Sequence, residues 1–150
     1  VHPRWIALAI VGLSLGARRD YVGSKVCGAC HPAELAAWQA TAHADAEPAV
    51  PSGVARCRAC HSTGDAPVGT AYFPDVGCEA CHGPGAAYAA DDVMRDPMLA
   101  RQLGLVNLAD PTVRAARCAR CHAGPSTRLV PIDLTLPAHP VGIASTPDVR

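Results

Sequence analysis

Four times in this chain of 150 residues, two cysteines spaced by two residues are followed at once by a histidine: Cys27, Cys30 and His31; Cys57, Cys60 and His61; Cys78, Cys81 and His82; Cys118, Cys121 and His122. These sets consume all 8 cysteines, so none is left for a disulfide. The chemistry that needs this order is covalent haem attachment. Two thiols about one helical turn apart match the two vinyl groups of haem and form thioether bonds, while the next residue's imidazole meets the iron. Paired cysteines also build zinc ribbons, and a lone pair can be a thiol redox motif. Neither alternative explains why a histidine directly follows the second cysteine every time. The sequence therefore predicts four c-type haems, with Cys27, Cys30, Cys57, Cys60, Cys78, Cys81, Cys118 and Cys121 as attachment points and His31, His61, His82 and His122 as proximal iron ligands. Attachment requires reduced thiols at an extracytoplasmic face, so the expected location is periplasmic or extracellular, in a bacterium or archaeon.

The far side of each iron is harder to fill. Of 7 histidines, four are proximal, which leaves His2, His43 and His139. Bis-histidine ligation of four haems would need one more, so at least one iron takes a methionine, another group, a neighbour's side chain or nothing. His43 is the strongest distal candidate. If the segment after His31 is helical, His43 is carried about 18 Å away at 1.5 Å per residue, whereas two imidazole nitrogens on one iron stand only about 4 Å apart. His43 is therefore expected on a different haem from the first. His139 precedes Pro140, which forces it out of helical geometry and fixes its ring angle; it is the second distal candidate. His2 is lost if the start of the chain is cleaved. Met94 and Met98 would share a helix face only if a helix ran through Pro97, and space filling between porphyrins is the commoner use of methionine. Trp38 is expected to pack on a haem edge.

Other elements must hold these groups. Only 4% of residues are aromatic, while 14 are proline and 13 glycine, too little material for an ordinary apolar core. Haem macrocycles would supply it. Charge is balanced at 13 basic and 13 acidic residues, with no basic footprint for nucleic acid; haem propionates would make the loaded protein more acidic and suit a basic redox partner. Three stretches read as helix. Residues 32–46 open with Pro32 and carry Leu35, Trp38 and Ala42 at helical spacing. Residues 97–103 follow Asp96 as N-cap and end at Gly104. The third starts at Asp110 and Pro111 and runs into the last motif. The rest is rich in turn formers, so the fold class is mainly α with extensive loops and little or no β: a compact multihaem cytochrome c fold wrapped around four stacked haems. The gap between His61 and Cys78 is the shortest between motifs, which places haems two and three near each other. At the start, Arg4 precedes an apolar run from Trp5 to Leu15, shorter than the roughly 20 residues a bilayer requires. Residues 1–17 are read as a signal peptide or N-terminal hydrophobic segment, with a retained anchor or buried first helix as the rival, and residues 18–150 as the tetrahaem domain. A membrane contact is expected only if the first segment is retained.

The stretches YVGSKVCGACHPAELAAWQATAHADA, CRACHSTGD and VGCEACHGPGAAY, within residues 21–125, resemble the cytochrome c-554 family of tetrahaem electron carriers, which includes the carrier that accepts electrons from hydroxylamine oxidation in nitrifying bacteria. The flanks carry the likeness: Trp38 and His43 after motif one, Glu79 and Gly83-Pro84-Gly85 around motif three. The resemblance implies a mostly helical fold around closely stacked haem pairs, bis-histidine ligation at most irons, and a relay role. In many relatives a distal histidine follows the glycine-proline-glycine run by three residues, and here that place is Tyr88. The chain's early end after motif four reads as a compact or incomplete member.

Three functions follow as expectations. The first is an electron carrier relaying between redox partner proteins, its potentials set by axial ligands and burial. The second is a subunit of a homopolymeric extracellular filament, motivated by His2 and His139 near the two ends. The third is an enzyme reducing or oxidising a small nitrogen species or peroxide at a haem without a distal histidine, with Tyr88, Arg95 or Arg101 orienting the substrate.

Overall fold

The computed structural model describes residues 20–50, 55–64 and 73–123. His2, His139 and the hydrophobic segment at 1–17 lie outside the described residues. Helices dominate: α1 (Ser24–Cys30), α2 (Pro32–Gln39), α3 (Arg58–His61), α4 (Cys78–His82), α5 (Asp91–Met94), α6 (Pro97–Gln102) and α7 (Pro111–His122), with single turns of tighter helix at Ala42–Asp45, Glu47–Ala49 and Ala55–Cys57. Two short strands, β1 (Ser62–Thr63) and β2 (Phe73–Pro74), pair antiparallel with Ser62 opposite Pro74 and Thr63 opposite Phe73. The mainly α class holds, with this ribbon as the described β structure. No helix of the described residues is long and apolar enough to cross a membrane.

Each cysteine pair rides on or beside one helical turn: α1 for the first, the start of α3 for the second, all of α4 for the third and the last turns of α7 for the fourth. Capping sets where α6 and α7 begin. The Asp96 carboxylate accepts from the Met98 and Leu99 amides at 2.9 and 3.1 Å, and Asp110 accepts from Thr112 and Val113 at 2.8 and 3.2 Å. In both, proline occupies the first helical position, where its missing N–H costs nothing. Gly104 follows α6 at φ 114°, a left-handed stop that glycine adopts without strain. The same Asp96 cap separates Met94 on α5 from Met98 on α6, so the two methionines do not share one helix.

The helix expected over residues 32–46 ends earlier. The Thr41 hydroxyl donates to the Trp38 carbonyl at 2.7 Å, and Thr41 itself is extended at φ −104° and ψ 159°. A threonine that satisfies a preceding carbonyl with its own side chain offers the backbone an exit from the helix. The chain restarts at Ala42 as a tighter turn, which redirects His43.

Among the described residues the protein owns little core. Tyr88 and Ala100 are the buried apolar side chains, and no large side chain is fully buried. Val26, Met98, Leu99, Leu103 and Val113 remain exposed. Order comes from a lattice of side-chain to backbone hydrogen bonds instead. Thr63 Oγ1 accepts from the Gly77 amide at 2.7 Å and donates to the Asp75 carbonyl at 2.9 Å. Ser24 Oγ accepts from the Cys78 amide at 3.2 Å, and Arg117 Nε donates to the Cys81 carbonyl at 2.9 Å.

Replacing Asp110→Ala removes the cap of the longest helix and should cost about 1 kcal/mol. Denaturant unfolding of the holoprotein should show a lower midpoint for it, with Asp110→Asn close to the parent.

Candidate functional site

The four cysteine motifs are brought together in a definite order. The Cys27 thiol of motif one donates to the Gly23 carbonyl at 3.7 Å and lies against Cys78 of motif three. The hydrogen bond with Cys78, then burial, then the charges of Cys78 and Glu79 push Cys27 far above the ordinary thiol range. Burial, followed by the charge of Cys118, raises Cys81 and puts motif three beside motif four. Burial and a hydrogen bond with Cys60 push the Cys121 thiol up to about 11, which puts motif four beside motif two. The thiols thus run motif one, three, four, two. The exit of motif two is joined to the entry of motif three by the Gly77 N–H bond to Thr63 Oγ1 and by the β1–β2 pairing.

One side chain secures the contact between motifs one and three. Glu79, within the third motif, is 2% exposed. Its Oε1 accepts from Val22 N at 2.9 Å and Gly85 N at 2.6 Å, and its Oε2 accepts from Gly23 N at 2.7 Å and Val22 N at 3.1 Å. A Cβ at position 85 would stand 2.8 Å from Oε1 and 3.0 Å from Val22 Cγ2, so only glycine lets the backbone come this near. The last residues before motif one and the turn after motif three therefore hang on the same carboxylate.

The histidines differ in their settings. The His61 ring places Nδ1 2.9 Å from the Ala46 carbonyl. A carbonyl can only accept, so Nδ1 carries the proton and Nε2 keeps its lone pair for a metal. His31 is exposed and follows α1 directly. The His82 carbonyl accepts from Val106 N at 2.9 Å. His122 has a buried Nδ1 with no hydrogen-bond partner.

His43 lies against His122, ring centres 6.0 Å apart and planes at 72°. Two imidazoles on opposite faces of one metal, each bonded at about 2 Å with its ring centre about 1 Å further back, would be separated by about 6 Å. Edge-to-face packing of two rings spans the same range. His122 Nδ1 is buried without a hydrogen-bond partner, and imidazole is the commonest metal ligand among side chains. Burial, and secondarily the charge of His122, hold His43 below its ordinary value, which keeps it neutral and able to ligate. Its position is fixed by the Val76 peptide: Val76 N donates to the His43 carbonyl at 2.9 Å, and the Val76 carbonyl accepts from Trp38 Nε1 at 2.9 Å. Trp38 thus anchors the Val76 peptide that holds His43.

The groups considered for catalysis are engaged or exposed. The Tyr88 hydroxyl, on a side chain 5% exposed, donates to the Gly83 carbonyl at 2.5 Å and reaches the His82 carbonyl at 3.3 Å, and burial raises its pKa well above the phenol range. Arg95 pairs with Asp91 at 2.8 Å on the surface, Arg101 is exposed, and Met98 is 69% exposed.

The donor chemistry fits haem. Each thiol pair lies near one helical turn with a histidine next to it, the middle of the described chain lacks large buried side chains, and one buried imidazole nitrogen is unpartnered. Zinc would need about four converging ligands, and among the described residues no three His, Cys, Asp or Glu side chains form such a group. Sequence reasoning missed the Glu79 cradle, the Ala46 carbonyl behind His61 and the Val76 latch. Of these only Glu79 left a signal, as an acidic residue inside a haem motif beside a glycine-proline-glycine turn.

A helical chain with cysteine-pair and histidine clusters in place of an apolar core has the features expected of a c-type cytochrome. Residues 26–83 match the family described as cytochrome c554 and c-prime. That stretch contains motifs one to three; motif four lies beyond it. Cytochrome c-554 of Nitrosomonas europaea is 32% identical over 106 residues, covering 53% of this chain and 45% of that protein. The match therefore spans about half the length of the relative. No solved structure matches.

Gly85→Ala should force the Glu79 cradle open. The overpacking costs about 1–3 kcal/mol, read as a lowered denaturation midpoint of the holoprotein.

Proposed function

We propose that the chain is an exported four-haem electron carrier that relays electrons between redox partner proteins. The observation that carries this reading is the continuity of the thiol sites, motif one against three, three beside four, four against two. Haem held at each motif supplies an iron that changes oxidation state by one electron without a substrate pocket.

The chain's own residues do the rest. Cys27 and Cys30, Cys57 and Cys60, Cys78 and Cys81, and Cys118 and Cys121 form the thioether bonds. His31, His61, His82 and His122 are the proximal ligands. The Ala46 carbonyl orients the His61 ring by taking its Nδ1 proton. His43 is the distal ligand at the site of His122, which agrees with the expectation that it serves a haem other than the first. His139 stays a distal candidate for another site. Tyr88 occupies the place of a family histidine and holds the backbone of motif three with its hydroxyl. Attachment at an extracytoplasmic face makes the location periplasmic or extracellular.

Pyridine haemochrome analysis against protein concentration should return four haems per chain; two or fewer would refute the relay. His43→Ala should convert one haem from low spin to high spin in the electron paramagnetic resonance spectrum and leave the haem count unchanged. An unaltered spectrum would remove His43 from the ligand set.

A further inference from the structure

Most buried carboxylates in folded chains are paired with a cation, because an isolated charge in a low-dielectric interior is expensive. Glu79 is 2% exposed, and among the described residues no lysine or arginine pairs with it. Arg117, whose guanidinium approaches the adjoining turn at Gly83, directs its Nε to the Cys81 carbonyl instead. Both carboxylate oxygens face only backbone N–H groups, those of Val22, Gly23 and Gly85. Such a ring of amides satisfies hydrogen bonding to an anion without cancelling its charge. The residue stands between Cys78 and Cys81, on the turn that would carry the third haem, and its field is felt at Cys27 and at the Tyr88 hydroxyl.

We propose that Glu79 is a positioning residue that also sets potential: it locks motif one onto motif three, and its fixed negative charge holds the reduction potential of the haem at motif three below those at motifs two and four. This rests on the haem-binding reading above. Adding one electron to an iron beside a buried anion is opposed by Coulomb repulsion, which water screens poorly in the interior, and burial and local charge are established levers on haem potential. The cradle presents only N–H donors to the side chain, the partners a carboxylate accepts from. A shorter acid would still present a negative group to the amides, while an amide side chain would present N–H to N–H and carry no charge.

The test is potentiometric titration of the four-haem protein, followed optically, for the parent, Glu79→Gln and Glu79→Asp. Glu79→Gln should raise one haem's potential by at least tenfold in its one-electron equilibrium constant, about 59 mV, with smaller movements elsewhere. Glu79→Asp should lower stability and keep that potential near the parent's. A glutamine variant with all four potentials unchanged, or glutamine and aspartate variants that shift them alike, would overturn the proposal. Should Glu79→Gln fail to fold, His82→Met marks the wave that belongs to motif three. That wave must lie below those of motifs two and four in the parent, and a position above them overturns the assignment. A parent chain without haem at motif three would overturn both this proposal and the reading it rests on.

Discussion

The carboxylate of Glu79 ties together segments that are distant in sequence. It receives the amides of Val22 and Gly23 ahead of motif one and of Gly85 behind motif three, all within 2.6–3.1 Å. Because both motifs are short helical turns with little apolar surface, their contact cannot rest on packing alone. Charge-assisted hydrogen bonds to backbone replace it. The Cys27–Cys78 neighbourhood follows from this clamp, and the order of the remaining motifs follows from α7, whose last turns bring Cys118 beside Cys81 and Cys121 beside Cys60.

A chain that buries so few large side chains is held by its polar lattice and, in the proposed holoprotein, by its cofactors. Ser24, Thr63, Trp38, Tyr88 and Arg117 each spend a side-chain donor or acceptor on a backbone group next to a motif or its entry loop. These bonds hold the backbone around the motifs. Apolar side chains such as Leu99 and Leu103 stay exposed on or beside α6.

Much of this was legible in the sequence because it is local. The haem motifs are set by spacing within five residues. The starts of α6 and α7 are announced by Asp96-Pro97 and Asp110-Pro111, whose capping chemistry needs no tertiary partner. The break after Gln39 was not legible: Leu35, Trp38 and Ala42 keep helical spacing, and the exit depends on one Thr41 hydroxyl choosing the Trp38 carbonyl. The meeting of His43 with His122 was half legible. Helical geometry pointed His43 away from the first motif, and its ring lies against His122 of the fourth, though the helix assumed in that reading stops early. The pairing of motifs one with three and two with four was hidden, because it is made by long-range contacts of Glu79 and α7 that leave no periodic trace.

In the proposed holoprotein His43 and His122 share one iron within a haem chain ordered one, three, four, two. A crystal structure of the holoprotein tests this most directly. The account predicts one nitrogen of each ring about 2 Å from a single iron, on opposite faces of the haem attached through Cys118 and Cys121. A His43 ring bound to any other iron, or to none, would contradict it.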